Sequence, residues 1–423
     1  MTYEESNDFL NSIPKFNPEI TMEDRVRFYE QLGQPCVNQR VVHVAGTNGK
    51  GSVCSFLRCS LEDAGYHTAT FISPHLVDVR ERFLIDGEPV GEASYLQAFT
   101  YVAERMKEVP LSYFDLLFFV FILLPEVQKA DVIILETGLG GTYDATNIMP
   151  RKNLCIITQI GLDHMAQLGN TIAEIASEKA GILRENTPVI YRGYGEEAPV
   201  IRSRAQMRGI SEKQCYPVER SHISDINVQD KKIDFFAHSV YHNSVLLSLH
   251  TSAVYQTENA LLALRGLDVL AMQGMQIPVE AIQSGFARMH WQARMEEVLP
   301  GVFIDGAHNE DGVSALVTSL RSLREFRRGQ ATLLFAVMSD KNYEKMLPKL
   351  CAEDLFDHIV FTGIGTGRCA GAEELHALYP EIPYMDTPEE AFDLLRSQLG
   401  DEDILVVAGS LYLAGRILKY IRG

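Results

Sequence analysis

Short runs of β-branched and aliphatic residues recur along the chain. Each is followed by a glycine or polar turn and then by apolar positions at helical spacing. The runs at 41–45, 132–135, 155–160, 302–304, 332–337, 359–362 and 404–408 are apolar almost throughout rather than alternating. Strands of that composition are buried on both faces, which predicts parallel sheets covered by helices. Helical spacing is clearest at 51–64, 171–183, 257–272 and 312–326. The second of these opens with a capping box, Thr171 with Glu174. Residues 211–255 differ, because 232–237 and 244–249 alternate and are separated by polar turns, predicting antiparallel strands. Pro300-Gly301 interrupts the pattern before a fresh strand begins. The expected class is therefore α/β: residues 1–295 on a mainly parallel sheet, then residues 296–423 as a smaller Rossmann-like α/β domain.

Composition narrows the function. The chain has 423 residues, 46% hydrophobic and 22% charged, with a formal net charge of −18. That acidic surplus repels polyanions, so no nucleic-acid partner and no anionic membrane surface are expected. A small anionic ligand needs only a local cluster of donors and stays open. The longest apolar run, 116–124, falls well short of the ~20 residues of a spanning helix. No basic segment leads into an apolar one near Met1, and none of the 7 cysteines forms a CxxC pair. A cytoplasmic protein with free thiols, working as a monomer, is the expectation.

The sharpest chemical signal is the stretch 41–52, VVHVAGTNGKGS: a strand, a glycine turn and a helix start. Gly46, Gly49 and Gly51 let backbone amides approach phosphate oxygens, and the helix that follows adds the positive end of its dipole. Lys50 supplies a point charge. The strict P-loop pattern is not met, since Gly51 rather than a hydroxyl residue follows the lysine and Ser52 sits one place later. Two further strand ends carry chemistry. The run 132–135 delivers Glu136, followed by Gly138, Gly140 and Gly141, and the run 155–160 leads to Asp163 and His164. Open α/β sheets place their sites at such edges. Glu136 with His164, beside a phosphate loop, reads as a magnesium site, although a lone histidine is usually structural. Lys179, inside the helix at 171–183, reads from the residues alone as a solvated lysine.

Taken together, GTNGKGS at 46–52, SPHL at 73–76, ETGLGGTYDATN at 136–147, GLDHMAQLGNTIAEIASEKAGI at 161–182 and DGAHNEDG at 305–312 resemble folylpolyglutamate synthases and the bifunctional dihydrofolate synthases of the Mur ligase superfamily. The resemblance implies a P-loop ATPase domain of the Mur ligase type and a C-terminal glutamate-ligase domain. It implies ATP-dependent addition of L-glutamate to the terminal carboxylate of folates through an acyl phosphate, with dihydropteroate as an alternative acceptor. ATP would meet Gly49, Lys50, Gly51, Ser52, Asn259, Arg294 and Asp305. Two Mg2+ ions are implied: one on Ser73, Glu136 and His164, the second helped by Lys179 in carbamylated form. Lys50, Lys179, Asp305 and His308 are the implied catalytic residues. Pterin contacts would come from Ser112, Tyr113, Phe114 and Asp115 and from Tyr143, Asp144 and Ala145, although Phe114 reads equally as core. Family members often carry glutamate where Asp115 stands, glycine where Ala293 stands and proline where Glu310 stands.

Rival readings predict different behaviour. A ligase of cell-wall precursors usually carries an extra N-terminal domain, for which a phosphate loop beginning at Gly46 leaves no room. A P-loop NTPase switch would turn over ATP without glutamate or folate. A folate carrier would have no use for Lys50, Glu136 and His164 together.

Overall fold

The computed structural model describes residues 1–106, 109–352, 355–365 and 369–423. Every apolar run named above forms a strand, within a residue or three of its expected ends. The central one, Arg40–Ala45, is buried at every position after Arg40. Its residues alternate between two cores, as pleating requires: Val42 and Val44 face one and Val41 the other. Around it lies an eight-stranded sheet in the order Glu88–Pro89, Phe83–Ile85, Thr68–Phe71, Val132–Glu136, Arg40–Ala45, Leu154–Ile157, Val189–Arg192, Cys215–Val218. Pairing is parallel from Thr68–Phe71 to Cys215–Val218 and antiparallel at the first edge.

The alternating segments pair as expected, with Ile233–Ser239 antiparallel to Asn243–Leu249 and to Ile223–Val228. The start of the 211–255 stretch is corrected: Cys215–Val218 joins the large sheet in parallel with Val189–Arg192. The small sheet buries Phe235, Val245 and Leu247 against the helices Lys50–Asp63, Gln256–Met272 and Val279–Arg288. The opposite face of the large sheet is covered by the helices Tyr3–Ser12, Met22–Gln31, Glu92–Arg105 and Tyr113–Leu123. The apolar run 116–124 falls in the last of these, where Phe118 and Phe121 pack on Phe71. Among the described residues no helix is long and apolar enough to cross a membrane.

A six-stranded sheet, in the order Glu296–Leu299, Val302–Ile304, Ile404–Ala408, Ala331–Phe335, His358–Thr362, Tyr384–Met385, is built from the C-terminal part of the chain. All its pairs are parallel except Glu296–Leu299 with Val302–Ile304. Parallel strands gather the loops that follow them at one edge. In the large sheet those loops carry residues 46–49, 72–76, 137–144 and 158–164, and in the smaller one 305–309, 336–342 and 409–410. The two edges face each other: Asn48 and Asn309 exchange hydrogen bonds across the gap at 3.1 and 3.2 Å.

A buried ion pair joins two helices of the first unit. Arg25 Nε lies 2.6 Å from Asp115 Oδ1, with side-chain exposures of 9% and 2%. Asp115 also closes a capping box with Ser112. Removing one partner of such a pair strands a buried charge. Arg25→Ala should lower stability by about 3 kcal/mol in equilibrium denaturation; a loss below about 1 kcal/mol, the range of a surface pair, contradicts the structural role.

Candidate active site

The strand Arg40–Ala45 runs into Gly46, and the helix Lys50–Asp63 starts from Gly49 in the left-handed region at φ +87°. Gly49 brings no side chain to cap the helix, so its first N–H groups stay available to an anion. The loop is tied to its neighbour: Thr47 N–H donates to Gln159 O at 2.7 Å, and Thr158 Oγ1 donates to Asn48 O at 2.7 Å. Asn259 lies over Gly49, where an added Cβ would fall 2.2 Å from Asn259 Oδ1. Asn259 itself donates to Gln256 Oε1, and Gln256 donates to Ser52 Oγ.

Lys50 Nζ lies 3.8 Å from Glu136 Oε1 and donates to Thr47 O at 3.2 Å. Glu136 is buried, its Oε2 accepts the Ser73 N–H at 2.9 Å, and burial raises its pKa against the pull of Lys50. The reading of Lys179 as solvated is corrected. It is 5% exposed and donates to Gly46 O at 2.7 Å, because its helix packs against the phosphate loop. Burial, with Lys50 nearby, brings its pKa down to about 7. His164 occupies the left-handed region at φ +51°; its side chain is 45% exposed, yet desolvation by the surrounding wall, with Lys341, His308 and Lys179 nearby, lowers its pKa to about 4.

The smaller sheet's edge supplies the opposite wall. Asp305 is buried and accepts from Tyr255 OH, Met295 N–H and Ala307 N–H, each at 2.8 Å. Its carboxylate thus fixes the linker in which Arg294 sits between Ala293 and Met295, both at positive φ. His308 Nδ1 donates to Gly306 O at 2.7 Å, leaving Nε2 3.5 Å from Asp163. Asp163 also accepts from Asn309 at 3.1 Å and from Lys341. Although burial opposes it, the His308 hydrogen bond and the charges of His308, His164 and Lys341 hold its carboxyl well below the usual range.

Lys50, Ser73, Glu136, His164, Lys179, Arg294 and His308 line one cavity of about 360 Å³ with Gly49, Gly51 and Ser52. Asn259 and Asp305 line an adjoining space of about 80 Å³ that shares Gly49, Ser52, Arg294 and His308. Ser112, Tyr113, Phe114, Asp115, Tyr143, Asp144 and Ala145 line neither. Ser112 and Asp115 cap a helix, and Asp144 accepts from the N–H groups of Gly138 and Leu139. Phe114 packs on Gly138 from outside the cavity, whereas Tyr143 is exposed. Sequence reasoning missed Lys341, which pairs with Asp163, and Tyr412, which lines the larger cavity, and left Asn309 unassigned within the motif at 305–312. The first had a signal: Ser339-Asp340-Lys341 follows a buried strand, as Asp163-His164 does.

Residues 288–411 match the family model described as Mur ligase, glutamate ligase domain. The chain is 30% identical over 434 residues to a dihydrofolate synthetase of Saccharomyces cerevisiae, covering 95% of this chain and 97% of that one. It is 29% identical over 439 residues to a dihydrofolate synthase/folylpolyglutamate synthase of Bacillus subtilis, covering 99% of each. The solved structure of E. coli FolC in complex with DHPP and ADP superposes with a TM-score of 0.86 at 27% identity, covering 100% of this chain and 98% of that one.

Gly49→Ala would force a Cβ into the left-handed region and onto Asn259, at a cost of about 1–2 kcal/mol before any clash. The variant should bind ADP about tenfold more weakly or worse in isothermal titration; an unchanged Kd contradicts this reading of the loop.

Proposed function

The chain belongs to the family of folylpolyglutamate and dihydrofolate synthases, and from that premise we propose how its cleft joins L-glutamate to a folate. It is an ATP-dependent ligase of glutamate onto folates. In the first step the terminal carboxylate of the folate attacks the γ-phosphate of ATP; an O–P bond forms and ADP leaves. Lys50 and Arg294, on the walls of one cavity, neutralise the charge that gathers on the transferred group. The amine of L-glutamate then attacks the acyl carbon, the amide forms and phosphate departs. His308, its Nδ1 tied to Gly306 O and its Nε2 facing Asp163, borders the cavity with Asp163, and the two together are placed to orient that amine. Asp305 acts by holding the linker that presents Arg294 and borders the nucleotide beside Asn259. Contacts between Asp163 and Lys341, and between Asn48 and Asn309, close the cleft and keep water from the acyl phosphate.

The donor set suits a hard cation. Ser73, Glu136 and His164 offer a hydroxyl, a carboxylate and an imidazole to the same cavity, leaving positions for water and phosphate oxygens. They would hold one Mg2+, and Lys179 in carbamylated form would help hold a second; the ions supply positive charge to the phosphoryl oxygens. A buried amine with a pKa near 7 is substantially unprotonated, as attack on CO2 requires. The neutral amine attacks the CO2 carbon, the N–C bond forms as one C–O π bond opens, and a proton leaves, so that an ammonium that has already given up one proton ends as an anionic carbamate. Of the residues expected to meet the pterin, Phe114 carries the proposal, since its ring abuts Gly138 on the cavity wall; Ser112 and Asp115 are taken up by the capping box and the Arg25 pair. The domain boundary is placed between residues 295 and 296, where the C-terminal sheet begins.

The observation that carries this reading is the convergence of Lys50, Glu136, His164 and Lys179 from the large sheet's side, Arg294 from the linker and His308 and Lys341 from the smaller sheet's side on one cavity. Purified protein with ATP, Mg2+ and labelled L-glutamate should be offered tetrahydrofolate and dihydropteroate in parallel. Label enters the tetrahydrofolate product with one ADP per amide, and Lys50→Ala lowers kcat/KM by about a hundredfold or more; label in the dihydropteroate product adds the second activity. ATP hydrolysis indifferent to both substrates, with no label incorporated, would instead mark an NTPase switch.

A further inference from the structure

Lys152 is a buried lysine, and among the described residues no carboxylate pairs with its ammonium. It follows the loop at 137–149 and precedes the strand Leu154–Ile157. Its Nζ donates to Asn147 Oδ1 at 2.6 Å and to Ile182 O at 2.7 Å. Burial, with Arg184 nearby, brings its pKa down to about 7, and the two acceptors at 2.6 and 2.7 Å favour its protonated form. A neutral side chain would be less costly there unless the ammonium holds something in place.

What it holds is the end of the helix that carries Lys179. The helix Ile172–Lys179 passes into a short turn, Ala180–Ile182, whose last carbonyls have no partner within the helix. No left-handed glycine closes it. Side chains do so instead. Lys152 takes Ile182 O; Arg184 takes Gly181 O and Leu183 O, each at 3.1 Å. Asn147 Nδ2 donates to Gly181 O at 3.2 Å and to Thr142 O at 3.0 Å. Thr142 Oγ1 donates to Glu178 O at 3.1 Å. Cations suit the negative end of a helix dipole. The carbonyls on both sides of Lys179 are therefore gripped by the loop that follows Glu136. Asn147 Oδ1 receives Lys152 and also Arg184, at 2.6 and 2.8 Å, which fixes the orientation of the amide that spans the two segments.

We infer that Lys152 is a positioning residue of the ligase: its buried ammonium pins the loop after Glu136 to the helix end after Lys179, and so sets where Lys179 stands against Gly46. The inference rests on the ligase reading above. It adds a residue that lines neither cavity of the site and that the motifs do not contain. The Gly49–Ser52 amides lie on a separate element held by Gln159, Thr158 and Asn259, so loosening this clamp should disturb the placement of Lys179 more than it disturbs nucleotide binding.

Lys152→Met, close in volume but without donors, separates these effects. The expected result is a kcat lower by about tenfold to a hundredfold, an ADP Kd and a KM for ATP within about twofold of wild type, and faster amide exchange confined to the residues around 180–183. Lys152→Arg, which keeps charge and donors, restores most of kcat. A folded Lys152→Met with wild-type kcat overturns the inference, as does a variant whose loss lies wholly in KM for ATP. Should Lys152→Met fail to fold, Asn147→Ala, which removes the acceptor of Lys152 and the amide bridging the two segments, takes its place, and wild-type kcat there overturns the inference equally. An inactive wild-type protein would instead count against the ligase reading itself.

Discussion

Glu136 and Lys50 face each other across 3.8 Å, close enough to balance charge and too far apart to hydrogen-bond. Sheet register sets that spacing. Val44 pairs with Glu136 across adjacent parallel strands, so the carboxylate emerges beside the loop that begins two residues later. Both groups are largely shielded from water, and neither is closed into a tight pair. The carboxylate spends its other oxygen on the Ser73 N–H, and the ammonium leans on Thr47 O. An incomplete buried pair of this kind leaves attraction for a third charged group, which is what phosphates and cations provide.

The glycines around it follow from the same crowding. A Cβ at Gly46 would fall 1.8 Å from Thr158 Oγ1, and one at Gly51 would fall 2.3 Å from the Trp291 ring. The loop is thus pressed between the next strand's end on one side and the linker to the C-terminal sheet on the other. Trp291 and Arg294 belong to that linker, so the position of the second half is felt at the phosphate loop without an intervening relay. Asp163 plays the complementary part, gathering Asn309, His308 and Lys341 from across the cleft.

The framework was legible because buried parallel strands are nearly continuous apolar runs, and because chemistry sits where those runs stop. Lys50, Glu136 and His164 could be read on that basis alone. Thr68–Phe71 is half threonine and Val189–Arg192 ends in arginine, so neither reads as an apolar run, and with the first went any residue-level signal for Ser73. Lys179 was illegible for a different reason: helical spacing places it on a face, but only packing against Gly46 makes that face an interior. Ser112 with Asp115 had a readable capping pattern, yet Arg25, the charge that completes the arrangement, lies 90 residues away in sequence. Lys341 shows the same limit, since its strand-end position was visible and its partner across the cleft was not. Periodicity reports local burial; it does not report which distant groups share one cavity.

The central claim is that the outermost phosphate of ATP is held between the phosphate-loop amides, Lys50 and Arg294. A crystal structure of the protein with Mg2+ and a nonhydrolysable ATP analogue tests it most directly. The account predicts the triphosphate along Gly49–Ser52, its γ-phosphate within hydrogen-bond reach of both Lys50 Nζ and the Arg294 guanidinium, and a metal ion on Glu136. A nucleotide bound away from this loop, or a loop still closed on Asn259 with the analogue at saturating concentration, would contradict it.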